Sequence, residues 1–380
     1  MIFLIIASHL PSVSNFRGKL LEEIANKGIA IHIASSNFNL FPNQVDSLKK
    51  LGYTLHEVPM QRTGTNPVAD FKTLWALYQV MKKVKPNWVL GYTIKPVIYG
   101  TLAASLAKAP YRFSLITGLG YAFQNVEQGS KRTLFQKIVH SLYQQALSRS
   151  TKVFFQNPDD QKLFLDMKLL DRNKPTVVVN GSGVNVQDFA VMDLPKDEQG
   201  QVKISFLLIA RLLVDKGVRE YAAAAQQIKQ KYPHVEFHLV GWIDENPTAI
   251  TQQELDQWIA DGRLKYWGKL SDVRPAIASS SVYVLPSYRE GTPRTVLEAM
   301  AMGRAVITTD APGCRETVAN GDNGYLVAVK SVSDLVNAMS KFIESPELII
   351  KMGQRSREIA LSKYDVNAVN KHMMTEMGLL

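Results

Sequence analysis

Val282-Tyr-Val-Leu-Pro286-Ser-Tyr-Arg-Glu290-Gly-Thr-Pro-Arg-Thr-Val-Leu-Glu298 reads as a buried strand, a loop and a helix in direct succession. The apolar run from Ser281 to Leu285 is stopped by Pro286 and Ser287, and Gly291 and Pro293 supply loop and helix-start chemistry. Glu290 therefore sits in a loop at the carboxyl end of a strand, where open parallel sheets bind ligands. Glu298 lies about two turns into the following helix, at roughly 1.5 Å of rise per residue. Backbone N–H groups from Gly291 to Arg294 would point at an anion in the same place. Two acceptors for hydroxyls beside an anion-binding helix start suit a nucleotide-sugar. In isolation the spacing fits one surface carboxylate and one that solvates a helix better than a ligand site, so the neighbouring sequence decides.

Working outward, the second half alternates strand and helix patterns. Strands are expected at Ile204–Ala210, Val235–Val240, Leu264–Trp267, Val282–Leu285, Ala305–Thr308 and Tyr325–Val327, with helices between them such as Val218–Lys231 and Ser333–Ile343. The first half does the same, from Ile2–Ala7 to Thr176–Val179. Strands separated by helices imply β-α-β units and parallel sheets. The fold class is α/β: a doubly wound domain over 1–185, a polar linker over 186–202, a second doubly wound domain over 203–345, and a helical tail over 346–380. A chain of 380 residues exceeds what one core usually supports, which agrees with two domains.

The first strand of the second domain runs into Arg211-Leu-Leu-Val-Asp-Lys216-Gly217, a basic loop that opens a helix. Cations and free N–H groups at a sheet's carboxyl edge are what a departing diphosphate needs. Val240-Gly241 and Gly268-Lys-Leu270-Ser-Asp272 are turns on that same edge. The segment around Leu270 could present backbone groups to a nucleobase, or simply cap a helix at Ser271 or Asp272.

Charge is unevenly distributed. Residues 1–185 hold 22 Lys/Arg against 10 Asp/Glu, whereas residues 186–380 hold 22 against 24. A basic first half faces something anionic, such as a lipid surface, a lipid diphosphate or nucleic acid, or is a solvated surface. No aromatic-basic interleaving or recognisable module supports nucleic acid, and that reading leaves Glu290 and Glu298 without a purpose. The helix Ser130–Ser148 carries Lys131, Arg132 and Lys137 beside Leu134, Phe135, Ile138, Leu142 and Tyr143. It could lie in a membrane interface or face the core. Met1–Ala7 is too short to span a bilayer and lacks a basic leader, so it reads as a buried strand. One cysteine, Cys314, excludes an internal disulfide and fits a reducing cytosol.

Arg211–Gly217, Glu290–Glu298 and Val178-Val-Asn-Gly-Ser-Gly-Val184, in this order, resemble the retaining glycosyltransferases of family 4. Ser14-Asn-Phe-Arg17, Gly91-Tyr-Thr-Ile-Lys-Pro96 and Thr117-Gly-Leu-Gly120 are similar to the branch that extends lipid-linked oligosaccharides in bacterial N-glycan, capsule and O-antigen assembly. The resemblance implies a GT-B fold, two Rossmann-like domains facing across a cleft, with the tail crossing back to the first. It implies a nucleotide-sugar donor, UDP-linked and with N-acetylgalactosamine as best match, and an undecaprenyl-diphosphate-linked acceptor at the anionic inner leaflet. Such an enzyme would be cytoplasmic and peripherally membrane-associated. Arg211 and Lys216 would neutralise the donor diphosphate, and Glu290 would contact the donor sugar. Gly291 and Thr292 would offer N–H groups, Glu298 would bind the ribose, and Gly241 and Leu270 would frame the nucleotide. Ser14, Asn15, Arg17, Lys95, Thr117 and Gly118 would meet the acceptor.

Two departures stand out. The first strand is followed by His9-Leu-Pro-Ser-Val-Ser-Asn15 rather than a glycine-rich loop, and Thr117-Gly118 carries no histidine, so no general base is assigned. No Asp-x-Asp motif or His/Cys cluster has metal-ligand spacing, so no metal or other cofactor is expected. A sugar-nucleotide epimerase of the same fold is the alternative activity. It would act on the nucleotide-sugar alone.

Overall fold

The computed structural model describes residues 1–61, 66–119 and 130–380, the last from residue 136 for side chains. The chain forms two compact units, Met1–Ser182 with Val369–Leu380, and Gly183–Ala368. In the first unit the strands are β1 (Ile2–Ile6), β2 (Ala30–Ser35), β3 (Thr54–Glu57), β4 (Trp88–Tyr92), β5 (Tyr111–Ile116), β6 (Lys152–Phe155) and β7 (Thr176–Val178). They form one sheet ordered β3-β2-β1-β4-β5-β6-β7, with every pairing parallel. The second unit holds β8 (Ser205–Ile209), β9 (Glu236–Val240), β10 (Lys265–Tyr266), β11 (Val282–Leu285), β12 (Ala305–Thr309) and β13 (Gly324–Val327). Their order is β10-β9-β8-β11-β12-β13, again parallel throughout.

Parallel strands covered by helices on both faces read as continuous apolar runs, and β11 is buried at all four positions. In each sheet the order reverses once, between β1 and β4 and between β8 and β11. Loops leaving the carboxyl ends of such neighbours diverge to opposite faces and open a crevice. The loops that carry Arg211, Lys216 and Glu290 leave β8 and β11.

The unit boundaries differ from the sequence expectation in two places. Residues 186–193 do not form a free linker, because two arginines fasten them to the second unit. Arg304, 1% exposed, donates to the carbonyls of Met192 (2.7 Å) and Asp193 (3.1 Å), and Arg357 donates to those of Val186 and Phe189. The terminal segment also splits. Glu347–Lys363 stays with the second unit, where Ile349 and Met352 join its core, and only Val369–Leu380 belongs to the first. There Met373, Met374 and Met377 enter the core and Lys152 pairs with Glu376 at 2.6 Å.

The helix Ser130–Arg149 is present, and its Tyr143 is 1% exposed in the first unit's core with Leu142 packed beside it, while Ile138 is exposed. The side chains of Lys131, Arg132, Leu134 and Phe135 lie outside the described residues, as does Gly120. Among the described residues no helix is long and apolar enough to cross a membrane.

Candidate functional site

The β8 strand ends at Ile209 and the chain turns through Arg211 into a short 3₁₀ turn, Val214–Lys216, closed by Gly217. Gly217 has φ +69°, and a Cβ there would lie 2.2 Å from the Pro286 carbonyl oxygen at the end of β11. Glycine is required on both counts. The close approach brings the two loops together, and the Tyr288 N–H donates to the Asp215 carbonyl at 2.9 Å. This main-chain bond places Lys216 beside Glu290, whose carboxylate accepts from Nζ at 2.5 Å. The two side chains are 15% and 16% exposed, enough for solvent and ligand to reach them while the pair is only lightly screened.

The Glu290 loop is also held from β12. Its N–H donates to the Pro312 carbonyl at 2.9 Å, and Gly313 (φ +80°) packs so close that a Cβ would sit 2.1 Å from the Glu290 carbonyl oxygen. Cys314 lies buried behind the loop. Burial and the Glu290 charge push its thiol up to about 12, so it is an inert core group rather than a nucleophile. On the other side Tyr288 donates its phenol to Glu220 at 2.6 Å. The loop is thus fixed by three neighbouring segments.

Glu298 lies on the helix Arg294–Ala301, 6% exposed, with the Arg294 guanidinium 2.8 Å from its carboxylate. Burial raises its pKa above the usual value, Arg294 pulls it down, and Asp272 raises it further. Tyr283, on β11, carries a buried phenol that bonds Thr295 at 2.6 Å. Burial raises the phenol's pKa, and the charges of Glu298 and Glu290 both add to the rise. Both carboxylates therefore bear on one small region.

Arg211 stands 3.0 Å from Asp244, across the loop after β9. Gly241 in that loop has no room for a side chain, since a Cβ would lie 1.9 Å from the Ala210 carbonyl oxygen. Its N–H donates to Gly268 and its carbonyl accepts the Tyr266 hydroxyl, so it contributes close packing rather than a spare donor. Leu270 packs with Trp267 and Val273 against the core at the carboxyl edge. Asp272 accepts the Arg274 N–H at 3.0 Å, but Val273 occupies the cap position of the helix Arg274–Ala278, so neither Ser271 nor Asp272 caps it as expected. Lys269 lies 4.7 Å from the Trp242 ring and joins the loops after β9 and β10. The second unit therefore gathers Arg211, Lys216, Gly241, Leu270, Glu290, Gly291, Thr292 and Glu298 along the carboxyl edge of adjacent strands.

The first unit does the same for part of the second set. Lys95 follows β4 and pairs with Asp70 at 2.7 Å, and Thr117 and Gly118 follow β5, the neighbouring strand. Ser14 and Asn15 lie on the helix Leu10–Ala25, half-buried and exposed respectively. Arg17 departs from its expected role. It is 2% exposed, 3.9 Å from Met373 Sδ and 5.9 Å from the Tyr92 ring centroid, and so braces the terminal helix.

Asp244, Tyr288, Glu220 and Gly313 were not singled out from the sequence. Only Gly313 had a local signal, the Pro312-Gly313 turn pair after an apolar strand. Among the described residues no three His, Cys, Asp or Glu side chains cluster as a metal site.

Residues 203–345 match the family model described as glycosyl transferases group 1, and residues 8–157 match the glycosyl transferase 4-like model. The chain is 30% identical over 330 residues, 85% of each chain, to N,N'-diacetylbacillosaminyl-diphospho-undecaprenol alpha-1,3-N-acetylgalactosaminyltransferase of Campylobacter jejuni. It is 25% identical, over 81% of this chain and 79% of the other, to UDP-Gal:alpha-D-GlcNAc-diphosphoundecaprenol alpha-1,3-galactosyltransferase of Escherichia coli. Among solved structures, sucrose-phosphate synthase of Thermosynechococcus elongatus superposes with a TM-score of 0.79 at 17% identity, covering 99% of this chain and 98% of that one. HepE of Anabaena in complex with UDP gives 0.75 at 18%, covering 100% of both chains. The fold is GT-B.

Proposed function

This chain belongs to the group 1 glycosyl transferases, and from that premise we propose that it moves a sugar from a nucleoside-diphosphate donor to a saccharide carried on undecaprenyl diphosphate. The observation that carries the reading is the meeting of Lys216 and Glu290 at the point where the second sheet reverses its strand order. A cation for the leaving diphosphate and an acceptor for the sugar hydroxyls share one crevice. Relatives whose names specify lipid-diphosphate acceptors support the acceptor class.

In this reading Arg211 and Lys216 take up the charge that builds on the donor diphosphate as its bond to the sugar C1 breaks. Glu290 orients the sugar, Gly291 and Thr292 supply backbone donors, Glu298 holds the ribose, and Leu270 flanks the base. The acceptor hydroxyl oxygen bonds to C1 on the face the diphosphate leaves. Its proton passes to the departing phosphate oxygen, so the α configuration is retained without a protein nucleophile. Ser14, Asn15, Lys95, Thr117 and Gly118 position the acceptor on the first unit. The sugar is N-acetylgalactosamine from UDP, and the enzyme works at the cytoplasmic face of an anionic membrane.

The test is transfer from a panel of UDP- and GDP-sugars to an undecaprenyl-diphosphate disaccharide, with the product's anomeric configuration read by NMR. Transfer with inversion would remove the mechanism. Turnover of the donor in the absence of acceptor, giving an epimerised nucleotide-sugar, would replace the reaction. Activity is expected to persist in excess EDTA, because protein cations take the charge a divalent ion would otherwise hold. Loss of activity restored by magnesium would overturn that part.

Glu298→Gln separates binding from stability. A carboxyl whose folded pKa is raised favours folding at low pH, and that contribution fades as pH climbs from the unfolded value through the folded one. The wild type should therefore lose stability relative to Glu298→Gln as pH rises above the ordinary carboxylate value of about 4. At neutral pH the variant should be no less stable in urea melts, while its donor KM rises about tenfold, the effect of losing one hydrogen bond to a charged group.

A further inference from the structure

Helix Pro67–Val84 fixes itself to the first unit by Thr73, Leu77 and Met81, which are buried at intervals of four. Its outer face is unlike that of an ordinary surface helix. Val68, Phe71 and Trp75 are 64%, 65% and 55% exposed, and their spacing of three and four residues puts them on one stripe. Trp75 has Tyr78 beside it, ring centroids 5.6 Å apart. The stripe continues into exposed Lys82 and Lys83, and Lys72 flanks it. Over about 10 Å of helix the outer surface is aromatic and aliphatic, and the next turn and a half is cationic.

We propose that this face is where the protein lies on an anionic bilayer, with Phe71 and Trp75 in the headgroup region and Lys72, Lys82 and Lys83 on lipid phosphates. Three observations favour a membrane over another protein. Aromatic side chains beside lysines, on a helix lying flat, form the pattern that partitions into an interface. The half of the chain that bears this helix carries the surplus of 22 basic over 10 acidic residues. The helix also meets the acceptor residues directly, since Asp70, lying between Val68 and Phe71 on the chain, is paired with Lys95 at 2.7 Å. A lipid-linked sugar has to be taken up within a short distance of the bilayer, and the stripe begins at that spot. In this last respect the inference rests on the acceptor assigned under the proposed function; the binding itself does not. The surface differs from the Ser130–Arg149 helix singled out by sequence, whose Leu142 and Tyr143 are given to the core.

The experiment is flotation of the full-length protein with vesicles of phosphatidylglycerol in phosphatidylcholine, containing no acceptor lipid. Wild type should float with these and not with phosphatidylcholine alone, and high salt should weaken the binding. The double variant Phe71→Ser/Trp75→Ser should lower the apparent partition coefficient at least about tenfold, because binding scales with buried apolar area. Lys72→Glu/Lys82→Glu/Lys83→Glu should do so on anionic vesicles. All five positions are exposed, so an unchanged melting temperature should accompany both. The serine variant should also lose transfer to an acceptor embedded in vesicles while keeping transfer to a short-chain, water-soluble acceptor. Flotation of the serine variant equal to wild type overturns the inference. So does wild type that ignores vesicles but forms a dimer that the serine variant abolishes, which would make a second copy the occupant. Failure of the soluble acceptor with wild type would instead count against the proposed function and leave the vesicle result standing.

Discussion

Lys216→Ala is expected to lower turnover by about 10²-fold or more with saturating donor, the cost typical of removing one preorganised charge contact from a developing anion. Position and environment set the expectation. Lys216 is carried on a tight 3₁₀ turn that Gly217 closes, and the main-chain bond from Tyr288 to Asp215 fixes that turn against the opposite loop. The ammonium is therefore held before the donor arrives, with little reorganisation left for the reaction. Its removal also leaves Glu290, a carboxylate only 16% exposed, without the cation now 2.5 Å away. The loss should fall mainly on kcat, since the diphosphate carries more charge in the transition state than in the bound donor. Arg211→Ala should show a loss of the same order. Asp244→Ala, which removes the partner of Arg211 and leaves the cation itself in place, should be milder. The measurement is single-turnover transfer, with Lys216→Arg as the conservative comparison. Near-normal turnover in Lys216→Ala and Arg211→Ala would detach the diphosphate from these side chains.

Much of this site was legible because it is built from local signals. Strand, loop, glycine and helix occur in succession around Glu290 and again around Lys216, and the six strands expected in the second half recur there within a residue or two. What could not be read depends on residues far apart in the chain. Arg17 looked like an acceptor contact, but its guanidinium packs on Met373 from the opposite end of the sequence. Residues 186–193 read as part of a linker because the composition turns polar just beyond them, from Leu194 to Gln201. They are fastened by Arg304 and Arg357, whose bonds go to main-chain carbonyls and so leave no pattern in the side chains they bind. Asp244 is similar: nothing in Trp242-Ile-Asp244 announces that Arg211 will turn toward it. Ser12, on the helix Leu10–Ala25, bonds the Tyr92 hydroxyl at 2.8 Å, a partner supplied by β4 and invisible in the local sequence.

Gly313→Ala should be among the most damaging single methyls in the second unit's site. The position has φ +80°, and the added Cβ would lie 2.1 Å from the carbonyl oxygen of Glu290 and 2.5 Å from that of Gly291. Both contacts are with backbone, so no side chain can rotate away, and the loop bearing Glu290 must move. It cannot do so freely. The Glu290 N–H is bonded to Pro312 on one side and Tyr288 is bonded to Asp215 and Glu220 on the others. Left-handed backbone alone costs an alanine roughly 1–2 kcal/mol, and the clash adds to it. The expectation is a loss of several kcal/mol in urea unfolding, at the upper end of what single substitutions do. In the protein that remains folded, turnover should fall by about 10²-fold, since a displacement near 1 Å at a positioning group has that effect. Gly321→Ala, at a φ of +82° but with nothing within 4 Å, isolates the backbone part of the cost. It should be destabilised by only about 1 kcal/mol with normal turnover. If Gly313→Ala behaved like Gly321→Ala, the loop would be softer than its three anchors imply, and Glu290 could not be the fixed acceptor on which the donor's orientation depends.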